Sequence, residues 1–256
     1  MGSRLQMRWA AKECAYGAWC VTGSPYIAAV MALAPFDYIC LDAQHGFMGY
    51  EGVLSCIQAA ARTEVTIFVR VPHNDPSWIG KSLDAGADGV IVPMVEDADG
   101  AARAVSACRY PPTGNRSFGG LRGYGGGHNN SDALPSAICL VMIESEAGLR
   151  NAESICSVAG LDGVYIGPAD LSIALGGPPT LASLPGPHAD GIEAIRRLCA
   201  QHDVVAGIQC SSGEQALGRA GEGFRMVTVC ADAPLLEAGL RGEFAKLPIA
   251  SATAMP

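Results

Sequence analysis

Lysine is nearly absent from this sequence and occurs only at Lys12, Lys81 and Lys246. None of the three ends an apolar run of the β type, so a lysine that forms a Schiff base with a carbonyl substrate is not expected. Neither G-x-G-x-x-G nor G-x-S-x-G occurs in the chain. The sequence therefore gives no support to a dinucleotide-binding fold or to the nucleophile elbow of the α/β-hydrolases.

Long apolar runs and a surplus of basic residues are also missing. No apolar run approaches the roughly 18 residues that a membrane span needs, and no basic segment followed by an apolar core marks a signal peptide. The formal net charge is −8, which argues against nucleic acid as the main partner. We therefore expect a cytoplasmic protein that binds neither membranes nor nucleic acids.

Cysteine is abundant, at ten residues, but no C-x-x-C motif occurs. Most of the cysteines, such as Cys40 and Cys139, lie in apolar segments. We interpret them as small hydrophobic residues of a protein in a reducing compartment. A zinc site or a disulfide framework would require closer and more regular spacing.

Short β-type runs alternate with amphipathic helical segments along the chain. The predicted strands are Ala15–Cys20, Asp37–Leu41, Val65–Arg70, Gly89–Pro93, Ala137–Ile143, Asp162–Ile166, Val204–Ile208 and Met226–Cys230. The predicted helices lie near 25–34, 49–63, 75–86, 97–108, 146–156, 189–202, 212–221 and 233–246. Such alternation implies a parallel sheet, and this number of strand–helix pairs in 256 residues predicts a single (β/α)8 TIM barrel over 1–256. A Gly-rich excursion at 109–136 interrupts the pattern, and the tail after 247 is expected to fray.

Two carboxylates, Glu144 and Asp170, follow apolar runs on successive predicted strands. The active site of such a barrel lies at the carboxyl ends of its strands, so both side chains are expected at one rim. A charge there is unfavourable unless something pairs with it. Oxygen ligands without a nearby cysteine favour Mg²⁺, Mn²⁺ or a similar ion. The alternative is that both carboxylates bind backbone amides or arginine.

Arg70, Asp42 and His45 follow two other predicted strands. An always-charged guanidinium at the end of a buried strand needs an anionic partner, which is either a protein carboxylate or a substrate oxyanion. Asp42 and His45 lie three positions apart, and a carboxylate that orients an imidazole is a common acid–base arrangement. The alternative for His45 is a buried histidine with satisfied hydrogen bonds. His128, in the Gly-rich excursion, is a weaker candidate for substrate contact.

Together these motifs resemble the HpcH/HpaI aldolase family over about Gly17 to Leu240. The motifs are Asp42-Ala43-Gln44-His45, Phe68-Val69-Arg70-Val71-Pro72 with Asn74-Asp75-Pro76, Leu83-Asp84-Ala85-Gly86-Ala87, Val92-Pro93-Met94-Val95, Arg109-Tyr110-Pro111-Pro112-x-Gly-x-Arg116, Ile143-Glu144-Ser145 and Ile166-Gly167-Pro168-Ala169-Asp170-Leu171. The last motif and its distance from Glu144 are the most specific. The resemblance implies a (β/α)8 barrel of the phosphoenolpyruvate/pyruvate-binding type.

The resemblance also implies a class II, metal-dependent aldolase. Such an enzyme reversibly cleaves 4-hydroxy-2-oxo acids to pyruvate, or a similar 2-oxo acid, and an aldehyde through a metal-bound enolate. By position, Glu144 and Asp170 would bind the divalent ion (Mg²⁺, Mn²⁺ or Co²⁺), Arg70 would hold the pyruvyl oxygen, and His45 with Asp42 would transfer protons. The segment Gly167, Pro168, Ala169 and Asp170 would meet the substrate carboxylate. Relatives often form hexamers, as trimers of dimers, so a homo-oligomer is expected.

Four further positions are possible supporting or interface residues: Gln44, Asp84, Arg116 and Met142. Many relatives have Gly-Glu-His where this chain has Ala43-Gln44-His45, and many have Gln at the position of Met142. Both departures affect the expected acceptor preference.

Two alternatives within the superfamily remain, a metal-dependent oxaloacetate decarboxylase and an acyl-CoA lyase. Arg116 and Arg122 are the only hints of a CoA site. An acid-binding barrel without catalysis is a more remote alternative.

Overall fold

A computed structural model describes residues 4–119 and 136–247 of the chain. Within them, eight strands form a closed parallel barrel in the sequential order β1 to β8. The strands are β1 Ala15–Cys20, β2 Tyr38–Asp42, β3 Thr66–Arg70, β4 Gly89–Val92, β5 Ile138–Ile143, β6 Gly163–Ile166, β7 Val205–Ile208 and β8 Met226–Ala231. The predicted (β/α)8 fold is confirmed, and every predicted strand lies within one residue of an observed one at each end.

Helices alternate with these strands. They are α1 Arg4–Ala10, α2 Pro25–Leu33, α3 Tyr50–Ala60, α4 Pro76–Ala85, α5 Ala98–Cys108, α6 Glu146–Arg150, α7 Ala152–Cys156, α8 Pro168–Ala174, α9 Pro187–Gln201, α10 Gly213–Glu222 and α11 Asp232–Phe244. Several begin at a side chain that accepts a backbone N–H of the first turn: Ser24, Asp75, Asp97, Ser145 and Ser212. These caps satisfy amides that have no partner inside the helix, which fixes where each helix starts.

Two helices and one break were not predicted. α1 precedes the barrel, and α8 begins at Pro168, a residue whose fixed φ suits the first turn of a helix. Asn151 divides the predicted helix 146–156 because it has φ −98° and ψ 9°, outside the α-helical region. The greater part of the Gly-rich excursion, including His128 and Arg122, lies outside the described residues, as does the tail after 247.

The core has two parts, one inside the barrel and one between barrel and helices. The interior is filled by large inward side chains, among them Trp19, Tyr38, Phe68 and Tyr165, each no more than 1% exposed. Leu5 of α1 joins this interior cluster, so α1 covers the end of the barrel opposite the carboxyl ends of the strands. Each fully buried side chain of this size contributes roughly 1.5–3 kcal/mol through the hydrophobic effect. No helix among the described residues is long and apolar enough to cross a bilayer.

Candidate active site

A buried ion pair joins the ends of β2 and β3. The strand register places Asp42 directly beside Arg70. Arg70 Nε donates to Asp42 Oδ1 at 2.9 Å, and Nη2 donates to Oδ2 at 2.6 Å. The Arg70 guanidinium also lies over the Trp19 ring of β1, 4.5 Å from its centroid. Burial alone would lower the pKa of Arg70, but the hydrogen bonds and charge of Asp42 raise it. Arg70 is therefore always positively charged and is held in place by Asp42. Its Nη1 takes no part in this two-point hydrogen-bonded pair, the Asp42 fork.

Asp42 also shapes the loop that carries His45. Its Oδ1 accepts the main-chain N–H groups of Gln44 at 3.1 Å and His45 at 3.2 Å. The sequence suggested that Asp42 would orient the imidazole of His45. In the structure its contact with His45 is at the backbone, because the two carboxylate oxygens face Arg70. The His45 side chain is exposed on this loop, whereas Gln44 is half-buried.

Glu144 follows β5 and is 3% exposed. Its Oε1 accepts the N–H of Met94 at 2.8 Å, and its Oε2 has no hydrogen-bond partner among the described residues. Burial raises the pKa of Glu144 to about 6, and the negative charge of Asp170 also raises it. The hydrogen bond from Met94 and the positive charge of Arg70 lower this pKa, but by less. Burial and the charge of Asp170 therefore disfavour the ionised form of Glu144, and a further positive partner would offset both effects.

The backbone around Glu144 is adapted to bring groups close to it. Met94 has φ 53°, a left-handed conformation that is uncommon for a residue with a side chain, and its N–H faces the carboxylate. A Cβ added to Gly167 would lie 2.4 Å from Glu144 Oε2 and 3.1 Å from the methyl carbon of Met142. Glycine at 167 therefore leaves space at the oxygen atom that has no partner.

Asp170 does not end a strand, as the sequence had suggested, but lies in the first turn of α8 and is exposed. Its charge nevertheless acts on Glu144, so the fold brings the two predicted metal ligands into electrostatic contact. Two carboxylates, one of which has a buried oxygen without a partner among the described residues, fit a hard divalent cation whose other positions would take water and substrate. The part of the chain that the structure describes contains no group of three or more His, Cys, Asp or Glu that could hold a metal.

Met142 and the pair Asp84–Arg116 occupy different places. Met142 is buried inside the barrel, below Glu144. Asp84 lies near the end of α4 and accepts from Arg116 Nη2 at 2.6 Å. Since α4 runs back from the end of β3, this ion pair lies at the end of the barrel opposite Arg70. The fold therefore does not bring Asp84 and Arg116 to the candidate active site of their own chain.

Two residues of the site were not identified from the sequence. Trp19 gave only the signal of an aromatic residue near a strand end. Met94 entered only as part of the motif Val92-Pro93-Met94-Val95, with no role assigned, because what it contributes is a backbone N–H and a left-handed φ rather than its side chain.

The sequence profile of the family described as HpcH/HpaI aldolase/citrate lyase matches residues 15–213. The chain belongs to this family. Over 242 residues it is 34% identical to the hydroxypyruvate/pyruvate aldolase of Rhizorhabdus wittichii, which covers 93% of this chain and 96% of that protein. Over 166 residues it is 40% identical to the 4-hydroxy-2-oxovalerate aldolase of Rhodococcus jostii, covering 63% and 64%.

Solved structures agree with the family assignment. An HpcH/HpaI aldolase/citrate lyase family protein from Burkholderia cenocepacia superposes with a TM-score of 0.88 at 28% identity, covering 96% of this chain and 99% of that one. The expected family, its barrel and a carbon–carbon lyase of the aldolase type are confirmed.

Proposed function

We propose that this HpcH/HpaI family member is a divalent-metal-dependent aldolase that reversibly cleaves 4-hydroxy-2-oxo acids to pyruvate, or a similar 2-oxo acid, and an aldehyde. One observation carries the proposal: Arg70, held by Asp42, acts electrostatically on the buried Glu144 beside Asp170 at one barrel mouth. Relatives named as hydroxypyruvate/pyruvate and 4-hydroxy-2-oxovalerate aldolases support the reaction class.

Glu144 and Asp170 are the residues that would hold the metal. When bound, a divalent cation supplies positive charge that stabilises the negative charge developing on a carbonyl oxygen. Glu144 Oε2 supports this assignment because it is a buried oxygen with no other partner among the described residues. Gly167 keeps the space beside that oxygen open.

Arg70 would stabilise the enolate through its remaining N–H groups. Its orientation is already fixed by the Asp42 fork and the Trp19 ring, so little reorganisation is needed as charge develops on the substrate oxygen. The N–H groups of Ala169 and Asp170, in the first turn of α8, would bind the substrate carboxylate; Pro168 has no N–H and starts the helix.

His45 would act as the base. Its side chain is exposed on the loop after β2 and would meet the substrate directly or through a water molecule. In cleavage it takes the proton of the 4-hydroxyl, the C3–C4 bond breaks, and its electron pair remains on the pyruvate fragment as the enolate. The aldehyde leaves, and protonation at C3 of the enolate gives pyruvate.

The test is pyruvate release from a 4-hydroxy-2-oxo acid by protein stripped of metal and then supplied with Mg²⁺, Mn²⁺ or Co²⁺. We expect activity only with metal, and a loss of about 10²–10³ in kcat for Arg70→Ala. Full activity after exhaustive chelation, or a wild-type rate in Arg70→Ala, would contradict the proposal.

Metal binding can be measured separately from activity. Gly167→Ala places a methyl group against Glu144 Oε2, so we expect Mn²⁺ affinity, measured by calorimetry, to fall about 10–100-fold. Gly218→Ala in α10 is the matched control, because a Cβ there meets nothing within 4 Å. Equal affinities in both variants would remove Glu144 from the metal site.

Oxaloacetate consumption that yields pyruvate without an aldehyde would instead indicate the decarboxylase. The acyl-CoA lyase has little support, because Arg116 is paired with Asp84 at the other end of the barrel. We also propose a homo-oligomer, with a trimer of dimers as its form, and a cytoplasmic location. The ten cysteines are all free, which fits a reducing compartment.

A further inference from the structure

We infer that Asp232, at the start of α11, is a positioning residue that sets the place of His45 through the loop after β1. The inference uses the role of His45 in the proposed function, but the contacts that carry it are independent of that role. Asp232 is distant from both His45 and Val21 in sequence, and no motif marked it.

The side chain of Asp232 binds the backbone of the loop that follows β1, residues 21–24, which we call the β1 loop. Its Oδ1 accepts the N–H of Val21 at 2.8 Å, and its Oδ2 accepts the N–H of Thr22 at 3.1 Å and the Thr22 hydroxyl at 2.5 Å. Asp232 is 7% exposed. Burial alone would raise the pKa of Asp232, but these hydrogen bonds and that of Ala233 lower it, so the carboxylate is ionised at neutral pH.

The β1 loop in turn holds the His45 loop, residues 43–49. Phe47, two residues after His45, donates its N–H to the carbonyl oxygen of Val21 at 2.8 Å. Val21 therefore links the two: its N–H donates to Asp232, and its C=O accepts from the His45 loop. Hydrogen bonds to charged groups are about twice as strong as neutral ones, so this link starts from a firm point.

The two loops are in close contact at two glycine residues. A Cβ on Gly46 would lie 2.1 Å from the carbonyl oxygen of Asp42 and 2.9 Å from that of Val21. Gly23, at φ +67°, has the Met48 Cβ 2.9 Å from where its own Cβ would stand. Since His45 directly precedes Gly46, a displacement of Val21 displaces the backbone that carries His45.

The test compares variants at Asp232 and Thr22 with a matched buried carboxylate elsewhere. Asp232→Asn puts an NH₂ group where Val21 or Thr22 needs an acceptor. Thr22→Val removes the hydroxyl that donates to Asp232 Oδ2 and accepts the N–H of Ser24 at 3.4 Å, with little change in volume. Thr22→Ser keeps the hydroxyl and should behave as wild type. Asp37→Asn is the control. Asp37 is 2% exposed, and its Oδ2 accepts the backbone N–H of Tyr16 at 3.0 Å, at the opposite end of the barrel.

The deciding readout is the NMR signal of the His45 ring, assigned with His45→Ala. We expect Asp232→Asn and Thr22→Val to shift or broaden it, while Thr22→Ser and Asp37→Asn leave it unchanged. A misplaced base should also lower kcat about 10–100-fold with little change in the KM for the oxo acid. In a His45→Ala background Asp232→Asn should cause no further loss, because the group that it positions is gone.

An unchanged His45 signal in both Asp232→Asn and Thr22→Val, or the same change in Asp37→Asn, would overturn the inference. If Asp232→Asn fails to fold, the Thr22→Val and Thr22→Ser pair gives the answer. A wild-type protein without aldolase turnover would refute the proposed function, while the His45 signal would still decide whether Asp232 positions that residue.

Discussion

Glu144 is a buried carboxylate whose two oxygen atoms have different surroundings. Oε1 accepts a hydrogen bond from Met94, whereas Oε2 has no partner among the described residues and lies where Gly167 leaves space. A buried polar atom without a partner costs about 1–3 kcal/mol, and a bound ion is one explanation for such an atom. At Glu144 this cost falls on the metal-free protein, and the proposed cation would remove it.

Replacing Glu144 with Gln should therefore stabilise the metal-free protein above neutral pH. The pKa of Glu144 is raised from 4.5 to about 6, so the native state binds the proton more tightly than the unfolded chain does. This stabilisation is present below the unfolded pKa and is lost as pH rises through about 6. Urea unfolding with chelator should show Glu144→Gln more stable than wild type by roughly 2 kcal/mol at about pH 8, and a much smaller difference near pH 4.

Glu146→Gln is the control for this measurement, because Glu146 is exposed and its ion pair is with the exposed Arg150. We expect less than about 1 kcal/mol from it at either pH. Addition of Mn²⁺ should stabilise wild type but not Glu144→Gln. If Glu144→Gln were the less stable protein at about pH 8 without metal, its carboxylate would have a partner and the assignment would fail.

The pairing of β2 with β3 fixes the position of Arg70, the positively charged side chain of the site. Their register sets Asp42 beside Arg70, and β1 adds Trp19 over the guanidinium. Both charged side chains are buried, at 1% and 6% exposure. Each strand thus supplies one part of an arrangement that no single strand could hold.

Asp42→Ala should destabilise the protein by about 3–5 kcal/mol, because it leaves the buried Arg70 unpaired and uncaps the loop of His45. The pair Glu193–Arg196 has the same two-point geometry, at 2.7 and 2.6 Å, but lies on the surface of α9. Glu193→Ala should therefore cost less than about 1 kcal/mol. Urea unfolding of both variants is the measurement, and equal losses would show that burial of the Asp42–Arg70 pair is unimportant.

At the scale of the whole molecule, helix α11 exposes several large apolar side chains to solvent. Four of its apolar side chains are at least 55% exposed: Leu235, Leu236, Leu240 and Phe244. Three of them recur at every fourth position, which places them along one side of the helix. A contiguous apolar surface of this kind is typical of a protein–protein contact, and the proposed homo-oligomer would cover it.

Leu240→Glu should therefore reduce the assembly without disturbing the barrel. We expect light scattering coupled to size exclusion to show a smaller species, while the circular dichroism spectrum stays that of wild type. Leu217→Glu is the matched control, since Leu217 is an exposed leucine, 66% accessible, on α10. A monomeric wild-type protein, or an unchanged mass in Leu240→Glu, would contradict this role of α11.

The strands and the residue types of the site could be predicted from the sequence, because they depend on local pattern. Alternating apolar runs and caps such as Asp75 set the elements, and charged residues such as Arg70 and Glu144 after apolar runs are conspicuous there. The break at Asn151 and the short helix α8 escaped prediction because single residues decide them. His128 and Arg122 lie outside the described residues, so their predicted roles stay predictions.

Which atoms meet was decided only by the tertiary structure. Asp42 was expected to orient the imidazole of His45, but strand register gave its oxygens to Arg70 and to the backbone of the His45 loop. Val21 and Asp232 are 211 positions apart and meet because the first and last strands close the barrel. Sequence pattern determines which segments are buried, whereas closure and register determine which distant groups come within hydrogen-bonding distance.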